Sequence, residues 1–284
     1  MTLNKEYIKN KLNSAGLKAG DTVLVHSQLL KVGLPEEDVF DLGKYYLDII
    51  LDIIGDTGEL VLPAFTYSYC KKKEFRPKKD LSTVSELANT CIRNHIGYRT
   101  LDPIFSYVIV NSHNKKLEFS NICFDFDNGM AGYLSKKNAK YLMIGDQIYF
   151  TLLHSCEQQL QTENRFMKKF SGVTYIDAQK LENAFYFFCR RNCKNTIGDA
   201  QKLQQIVFDP LIKEKIITQI EFGSTQLFLC SNLNFVMETY KNAFKRSLFE
   251  LLVGPSLTVE ELKQIDPEEE ETDLKIEKYG LIKL

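Results

Sequence analysis

The sequence contains Gly20-Asp-Thr-Val-Leu-Val-His-Ser-Gln-Leu-Leu-Lys-Val-Gly33, in which a short apolar, β-branched run is followed directly by polar residues. A run of this kind after a Gly-Asp turn predicts a buried strand over residues 22–25. The polar residues that follow describe a loop at the edge of a sheet. Ligands of open α/β sheets bind at this edge, so the loop over residues 27–33 is expected to present backbone N–H groups to a ligand.

A second unit of the same kind comes next along the chain. A long amphipathic helix is predicted over residues 36–54, and Glu59-Leu-Val-Leu-Pro63 is the next strand, with Thr66 and Tyr67 just beyond its end. The alternation of helices and strands indicates an α/β protein. The remaining patterns predict strands over 107–110, 141–145, 171–176 and 223–230, and helices over 5–17, 158–169, 195–209 and 232–251.

The composition limits the classes of function. The 284 residues carry a net charge of −1, which gives no basic field for nucleic acid or an anionic membrane. There is no apolar run of about 18 residues, and the N-terminus lacks the apolar core of a signal peptide. The seven scattered cysteines are typical of reduced thiols in a cytoplasm and supply no metal-ligand pattern. A cytoplasmic protein without metal, nucleic-acid or membrane partners is therefore expected.

The stretch Thr151-Leu-Leu-His-Ser-Cys-Glu157 lies between a predicted strand and a predicted helix. His154 can exchange a proton near neutral pH, and Glu157, three residues later, shares a helix face with it. One interpretation of this spacing is a general base with an acidic neighbour. The alternative is an ordinary helix start, where the helix dipole favours an acidic residue. Cys156 as an acyl-carrying nucleophile is a rival, although adjacent helical residues point in different directions.

Two other features carry charge. Asp102 precedes Pro103, which holds it in an extended conformation, so its carboxylate either stabilises a turn or binds an amine. Residues 71–79 contain six basic side chains and one acidic one. A segment of this kind is typical of a solvated loop, or it forms a basic flap that meets a phosphorylated ligand.

Four short strings follow one another in a fixed order. They are Gly20-Asp-Thr-Val-Leu-Val-His26-Ser27-x-Leu29, Gly58-x-Leu-Val-x-Pro63-x-Phe65-Thr66, Arg99-Thr100-x-Asp102-Pro103-x-x-Ser106, and Thr151-x-Leu-His154-x-x-Glu157. Each string alone is weak, but together they resemble the aminoglycoside 3-N-acetyltransferase (antibiotic acetyltransferase) family. The resemblance covers roughly residues 11–172.

This resemblance implies a fold and a reaction. The fold is an αβα sandwich with a mixed sheet flanked by helices, distinct from the GNAT fold, and with a smaller C-terminal α/β part. The reaction transfers an acyl group from acetyl-CoA, or another short acyl-CoA, to the amine of a sugar-like substrate, without a metal. We expect residues 1–172 to form the acyl-CoA-binding catalytic core and residues 173–284 the C-terminal part, with one continuous domain as the alternative.

The expected site residues divide into three groups. By resemblance His154 is the catalytic residue, and we assign it as general base, with Glu157 or Asp102 holding its tautomer. The expected acyl-CoA contacts are His26, Ser27, Leu29, Lys31, Gly33 and Ser106. The expected contacts of the amine substrate are Thr66, Tyr67, Arg99 and Asp102.

The chain departs from the family at one position. Asp102 stands where the family string usually has His. Asp-Pro in this place resembles relatives that acylate amino sugars carried on nucleotides, which favours a dTDP-type amino-deoxysugar of surface polysaccharide (O-antigen) biosynthesis. The alternatives are an aminoglycoside acetyltransferase that confers resistance and a CoA- or sugar-binding relative without catalysis. Assembly into a homo-oligomer is left open.

Overall fold

The computed structural model describes residues 3–111, 117–254 and 256–265. The strands are β1 (Thr22–Ser27), β2 (Glu59–Pro63), β3 (Tyr98–Arg99), β4 (Tyr107–Val110), β5 (Lys140–Ile144), β6 (Arg165–Ile176), β7 (Gln179–Arg190), β8 (Ile217–Phe222) and β9 (Thr225–Cys230). The α-helices are α1 (Lys5–Ala15), α2 (Leu29–Val32), α3 (Leu42–Ile54), α4 (Glu86–Arg93), α5 (Met130–Lys136), α6 (Leu153–Leu160), α7 (Ala200–Leu203), α8 (Asp209–Lys213), α9 (Leu233–Arg246) and α10 (Val259–Lys263). Shorter turns are the 3₁₀ segments Tyr69–Lys71, Lys194–Thr196 and Leu248–Leu251 and the π-helical Gln204–Phe208.

Seven strands form one mixed sheet in the order β3-β4-β2-β1-β5-β9-β8. The central strands β2, β1 and β5 are parallel, and the strands outside them pair antiparallel. Strands β6 and β7 form a separate two-stranded hairpin. The carboxyl ends of the three parallel strands therefore meet at one edge of the sheet, as the sequence predicts for its ligand site.

Helices cover both faces of the sheet. One apolar core contains side chains of α1, α3 and α4 packed against β1 and β2, including Ile8, Leu12, Tyr46, Leu47 and Leu87. The other core lies beneath α5, α6, α8 and α9 and includes Met130, Leu134, Cys156, Leu211 and Met237. The predicted αβα sandwich, with a mixed sheet flanked by helices, is thus confirmed.

Most predicted strands are present at or near their predicted bounds. The runs over 59–63 and 107–110 are β2 and β4, and the predicted strands over 22–25, 141–145, 171–176 and 223–230 lie in or overlap β1, β5, β6 and β9. Strand β8 had no prediction. The alternation of side chains that identifies a strand is weak in its sequence, Ile-Thr-Gln-Ile-Glu-Phe, and its place in the sheet comes from pairing with β9.

The helix predicted over residues 158–169 is wrong. Helix α6 occupies Leu153–Leu160 and stops where Gln161 turns into the left-handed region at φ 51°. Residues from Arg165 onward form β6, which pairs with β7 along its whole length. Cross-strand pairing of aromatic side chains, such as Phe170 with Phe185, outweighs the local helical pattern.

Three other predicted helices differ in extent. The one predicted over 36–54 begins only at Leu42, because the side chain of Asp41 accepts the N–H of Lys44 and caps the helix there. The one predicted over 195–209 is divided into α7, a π-helical turn and α8. The one predicted over 232–251 is α9 followed by a 3₁₀ turn.

The two predicted parts of the chain share the central sheet. Residue 172 lies within β6, and the C-terminal strands β8 and β9 extend the sheet from β5. No helix of the described ranges is both long and apolar enough to cross a membrane. The acidic run Glu268 to Glu271 lies outside the described residues.

Candidate active site

The parallel strands bring separate parts of the sequence to one edge. His26 and Ser27 end β1, and Thr66 and Tyr67 follow β2. Tyr107 begins the antiparallel β4 opposite Pro63 and so lies at the same edge. The loop after β5 leads into α6, which carries His154. Sequence-distant polar groups are therefore gathered in one crevice.

His154 and Glu157 lie on one face of α6, as their spacing predicts. The His154 Nδ1 is 2.7 Å from the Glu157 Oε2. The rings of Phe124 and Phe187 meet the imidazole edge-to-face, with centroids 5.2 and 5.8 Å away. The His154 side chain is 32% exposed, whereas that of Glu157 is 5% exposed. One ring nitrogen is thus held by a buried carboxylate, while the imidazole remains accessible.

Glu157 keeps its charge despite burial. Burial by itself raises the pKa of this carboxyl, but the nearby charges of Arg165 and His154 and the hydrogen bonds from His154 and Tyr240 lower it to about 2. The Tyr240 hydroxyl donates to Oε1 at 2.9 Å. The Arg165 Nε lies 2.9 Å from Oε2 without hydrogen-bond alignment, so this contact is an ion pair.

Arg165 and Tyr240 are contacts of Glu157 that the sequence did not reveal. Arg165 begins β6, in the segment predicted to be helical, and Tyr240 lies on α9, 83 residues from Glu157. Neither has a local motif. Only the packing of α6 between the hairpin and α9 brings them to the carboxylate.

Cys156 points away from His154. Its thiol donates to the backbone oxygens of Leu152 and Met237, and the side chain is fully buried. Burial raises the pKa of the Cys156 thiol to about 12, so almost no thiolate exists near neutral pH. Cys156 therefore has neither the exposure nor the thiolate charge that an acyl-carrying nucleophile requires.

Asp102 stabilises a turn with one of its oxygens. Its Oδ1 accepts the backbone N–H groups of Ile104 at 2.7 Å and Phe105 at 2.9 Å. Burial raises the pKa of Asp102, against the opposing effect of these hydrogen bonds and of the Cys123 thiol. The Oδ2 takes no backbone hydrogen bond from the described residues, so turn formation leaves one oxygen for another partner.

Arg99 and Ser106 are joined in a structural brace. The Arg99 Nε donates to the Ser106 Oγ at 3.0 Å, and Ser106 donates to the carbonyl of Ala64 at 2.8 Å. The guanidinium also donates to the carbonyls of Ala64, Pro77 and Asp80. Burial lowers the pKa of Arg99 to about 10. These hydrogen bonds direct the polar atoms of both predicted ligand contacts into the protein.

Of the two predicted substrate contacts after β2, Tyr67 is the more available. The Thr66 hydroxyl donates to the Pro103 carbonyl at 3.0 Å and is buried. Tyr67 is only partly buried and has a left-handed φ of 55°. The Lys71 Nζ lies 5.5 Å above its ring and also donates to the Thr66 carbonyl, so the basic segment begins at the crevice.

The predicted acyl-CoA contacts surround the end of β1. The His26 Nε2 lies 3.5 Å from the Thr151 hydroxyl, and burial lowers the pKa of His26 to about 4, so the ring is neutral near pH 7. The buried Ser27 Oγ forms no hydrogen bond to any described residue. Leu29 is buried, Lys31 is exposed and ion-paired with Asp146, and Gly33 ends α2 at φ 108°.

A cavity of about 880 Å³ adjoins the crevice. Its walls include Asp102, Tyr107 and Phe124, and it continues past apolar side chains such as Ile96 and Phe119. Phe124 lines the cavity and also meets the His154 imidazole edge-to-face, whereas His154 itself is not among the lining residues. Its volume is that of a small-molecule site. Across the described part of the chain, no cluster of three His, Cys, Asp or Glu side chains has the arrangement of a metal site.

Comparison with known proteins identifies relatives of this architecture. The family model described as aminoglycoside 3-N-acetyltransferase matches residues 24–242. The structure of AAC-IIIb with CoASH superposes with a TM-score of 0.71 at 15% identity and covers 90% of this chain and 100% of that one. The structure of AAC-VIa bound to sisomicin superposes with a TM-score of 0.69 at 14% identity, and the match covers 87% of this chain and 99% of that one. The YokD protein from Bacillus subtilis superposes with a TM-score of 0.59 at 17% identity, and the match covers 87% of this chain and 95% of that one.

At these identities the structures show a shared fold. None of the curated proteins matches the chain in sequence.

The depressed pKa of His26 predicts a pH-dependent stability. The folded pKa of about 4 lies below the ordinary value of 6.5, so the unfolded chain binds the proton first. The free energy of unfolding should therefore fall by up to about 3 kcal/mol as the pH drops from about 6.5 to 4. Urea unfolding of wild type and His26→Asn over this range measures it.

His95 provides the matched control, because it is exposed. The His95→Asn variant should keep the wild-type slope, whereas His26→Asn should flatten it. Equal slopes in wild type and His26→Asn would show that His26 does not titrate in this way. The carboxylate of Glu157 contributes separately, since its stabilisation is lost only as the pH falls below about 4.5 towards 2.

Proposed function

Because the chain belongs to the aminoglycoside 3-N-acetyltransferase family, we propose that His154 and Glu157 catalyse acyl transfer from an acyl-CoA to the amine of an amino sugar. Membership establishes the reaction class: the protein is an acyl-CoA-dependent N-acetyltransferase. The 2.7 Å contact between the His154 Nδ1 and a buried, ionised Glu157 carries the proposal for the site. The catalytic groups then lie in residues 1–172, with Tyr240 of the C-terminal part supporting them.

The proposed mechanism needs one base and no covalent enzyme intermediate. The ammonium of the acceptor first releases one proton to solvent. The neutral nitrogen then attacks the thioester carbonyl carbon and forms the C–N bond, while the His154 Nε2 takes the second proton. The C–S bond then breaks, and the CoA sulfur leaves with that proton. Glu157 fixes the tautomer through Nδ1 and offsets the charge of the imidazolium, as the carboxylate of a catalytic triad does.

Asp102 is proposed to hold the amine. Its Oδ1 is engaged by the turn, so the other oxygen would meet the incoming ammonium at the wall of the cavity. Thr66, Tyr67 and Arg99 stay proposed substrate contacts, and Tyr67 has the least internal bonding of the three. The segment over residues 27–33 was predicted to be a loop, but it contains the one-turn helix α2. This segment and His26 are proposed to receive the pantetheine arm of acetyl-CoA or another short acyl-CoA.

For the acceptor we propose a nucleotide-linked amino-deoxysugar, used in surface polysaccharide biosynthesis in the cytoplasm. The support is the basic segment over residues 71–79. Arg76 and Lys78 pair with Glu74 and Asp177, but Lys72, Lys73 and Lys79 have no acidic partner within the described ranges. Such cations suit a diphosphate and oppose a polycationic aminoglycoside.

An aminoglycoside acceptor is the second candidate. Its support is the structural similarity to AAC-VIa, which binds sisomicin, together with the carboxylate of Asp102 in the cavity wall. A nucleotide-linked sugar presents negative charge, whereas an aminoglycoside presents positive charge. The basic segment over residues 71–79 therefore favours the first acceptor over the second.

Removal of the base should abolish most turnover. We expect His154→Ala to lower kcat by at least about 10²-fold, because general-base catalysis typically contributes about 10²–10⁴-fold. Release of free CoA thiol from acetyl-CoA measures the rate. Cys156→Ala, on the same helix, should retain the wild-type kcat within about threefold, since its thiol points away from the site. A near-normal kcat for His154→Ala would exclude His154 as the base.

Replacement of the proposed amine holder should act on acceptor binding. The Asp102→Asn variant keeps an oxygen for the turn but removes the negative charge. We expect its KM for the amine acceptor to rise about tenfold or more, with a smaller change in the KM for acetyl-CoA. An unchanged acceptor KM would leave Asp102 with only its role in the turn.

The acceptor is tested with two substrates of opposite charge. Thiol release with a dTDP-linked amino-deoxysugar but not with sisomicin is expected, and the reverse result would favour the second candidate. The double variant Lys72→Gln, Lys73→Gln should raise the KM for the nucleotide sugar. Lys136→Gln, an exposed position on α5, is the matched control and should leave that KM unchanged.

A further inference from the structure

One buried hydroxyl at the edge of the sheet lacks a partner. Tyr107, the first residue of β4, is 4% exposed, and its hydroxyl forms no hydrogen bond to any residue that the structure describes. Its ring packs edge-to-face on Phe65, with centroids 5.4 Å apart. An unpaired buried hydroxyl destabilises the folded protein, because it has lost its hydrogen bonds to water. A group of this kind calls for an explanation, and a ligand that completes its hydrogen bonding is one.

The position of Tyr107 connects it with both halves of the reaction. Asp102 and Thr151 both act on the pKa of the Tyr107 hydroxyl, although no hydrogen bond joins Thr151 to it. Thr151 in turn lies 3.5 Å from His26, at the end of β1 where the pantetheine arm is proposed to bind. Tyr107 also lines the same cavity as Asp102, the group proposed to hold the amine, and it begins β4 opposite Pro63 at the sheet edge where β1 ends.

The pKa of Tyr107 is raised, chiefly by burial and against a smaller opposing effect of Thr151, so the phenol stays protonated. A protonated phenol is a hydrogen-bond donor. The carbonyl oxygen of a thioester becomes negatively charged as the amine attacks, and a donor placed beside it stabilises that charge.

We propose that the Tyr107 hydroxyl donates a hydrogen bond to the thioester carbonyl oxygen of the bound acyl-CoA and stabilises the oxyanion that forms there. The amine nitrogen bonds to the carbonyl carbon, the C=O electron pair moves to the oxygen, and the hydrogen bond strengthens. On collapse the pair returns and the C–S bond breaks. The Tyr107 proton is shared throughout and never transferred. The proposal rests on the acyl transfer proposed above.

Binding must uncover this hydroxyl, because its oxygen is fully buried. Thr151 is only partly buried, lies 3.5 Å from His26, and acts on the pKa of the Tyr107 hydroxyl. Rotation of the Thr151 side chain as acyl-CoA enters is therefore part of the proposal.

Tyr46 offers a close control for the same chemical change. It too is fully buried with an unpartnered hydroxyl among the described residues, and burial is the main cause of its raised pKa. It lies on α3 in the core on the opposite face of the sheet. Loss of either phenolic oxygen removes an unsatisfied polar atom, so neither Tyr107→Phe nor Tyr46→Phe should lower Tm.

The test reads the carbonyl directly and needs no acceptor. Infrared difference spectra of acetyl-CoA labelled with ¹³C at the carbonyl are recorded when bound to wild type, Tyr46→Phe and Tyr107→Phe. A hydrogen bond weakens the C=O bond, so its stretch should lie below that of free acetyl-CoA in wild type and Tyr46→Phe. In Tyr107→Phe it should move back towards the free value.

Turnover provides the second readout. With an acceptor that wild type uses, Tyr107→Phe should lower kcat by about 10²–10³-fold, the usual loss on removing one oxyanion donor, with the KM for acetyl-CoA changed by less than about threefold. A bound C=O stretch that is the same in wild type and Tyr107→Phe overturns the proposal. Failure of wild type to bind acetyl-CoA at all would instead overturn the proposed function, and this inference with it.

Discussion

The candidate active site depends on a carboxylate that remains charged inside the protein. Glu157 is almost completely buried, and a lone carboxylate in that position would take up a proton. Arg165 and Tyr240 prevent this, from β6 and α9. Three separate elements must therefore pack correctly before His154 has its partner. A buried charge set of this kind is a costly arrangement, and here it holds the His154 Nδ1 at 2.7 Å from Glu157.

The string over residues 99–107 also has a structural explanation. Arg99 binds Ser106, the Thr100 hydroxyl accepts the backbone N–H of Tyr107, and Asp102 holds the turn between them. The spacing of these residues thus allows the connection between β3 and β4 to form hydrogen bonds within itself. That closure places Tyr107 at the crevice and ties β4 to the end of β2 through Ala64.

The sequence predicts the parts of the structure that local residue patterns determine. It does not predict the parts that depend on contacts between residues far apart in the chain. Strands β2 and β4 have the predicted bounds because apolar runs between turns specify them. The pairing of His154 with Glu157 follows from helical spacing alone. The prediction for the first residues of β6 was wrong, because pairing with β7 holds them in a strand. Arg165 and Tyr240 were missed for the same reason: their roles arise only when the chain returns to Glu157.

One end of the β6–β7 hairpin contacts Glu157, and the other end contacts the basic segment over residues 71–79. Arg165 at the start of β6 neutralises Glu157, and Asp177 at the hairpin turn pairs with Lys78 of the basic segment. Phe75 also bridges to Thr174 within it. Because paired strands open as one cooperative unit, the hairpin amides should exchange with solvent together. Loosening this unit at its far end would thus withdraw the counter-charge of Arg165 from the buried Glu157 carboxylate.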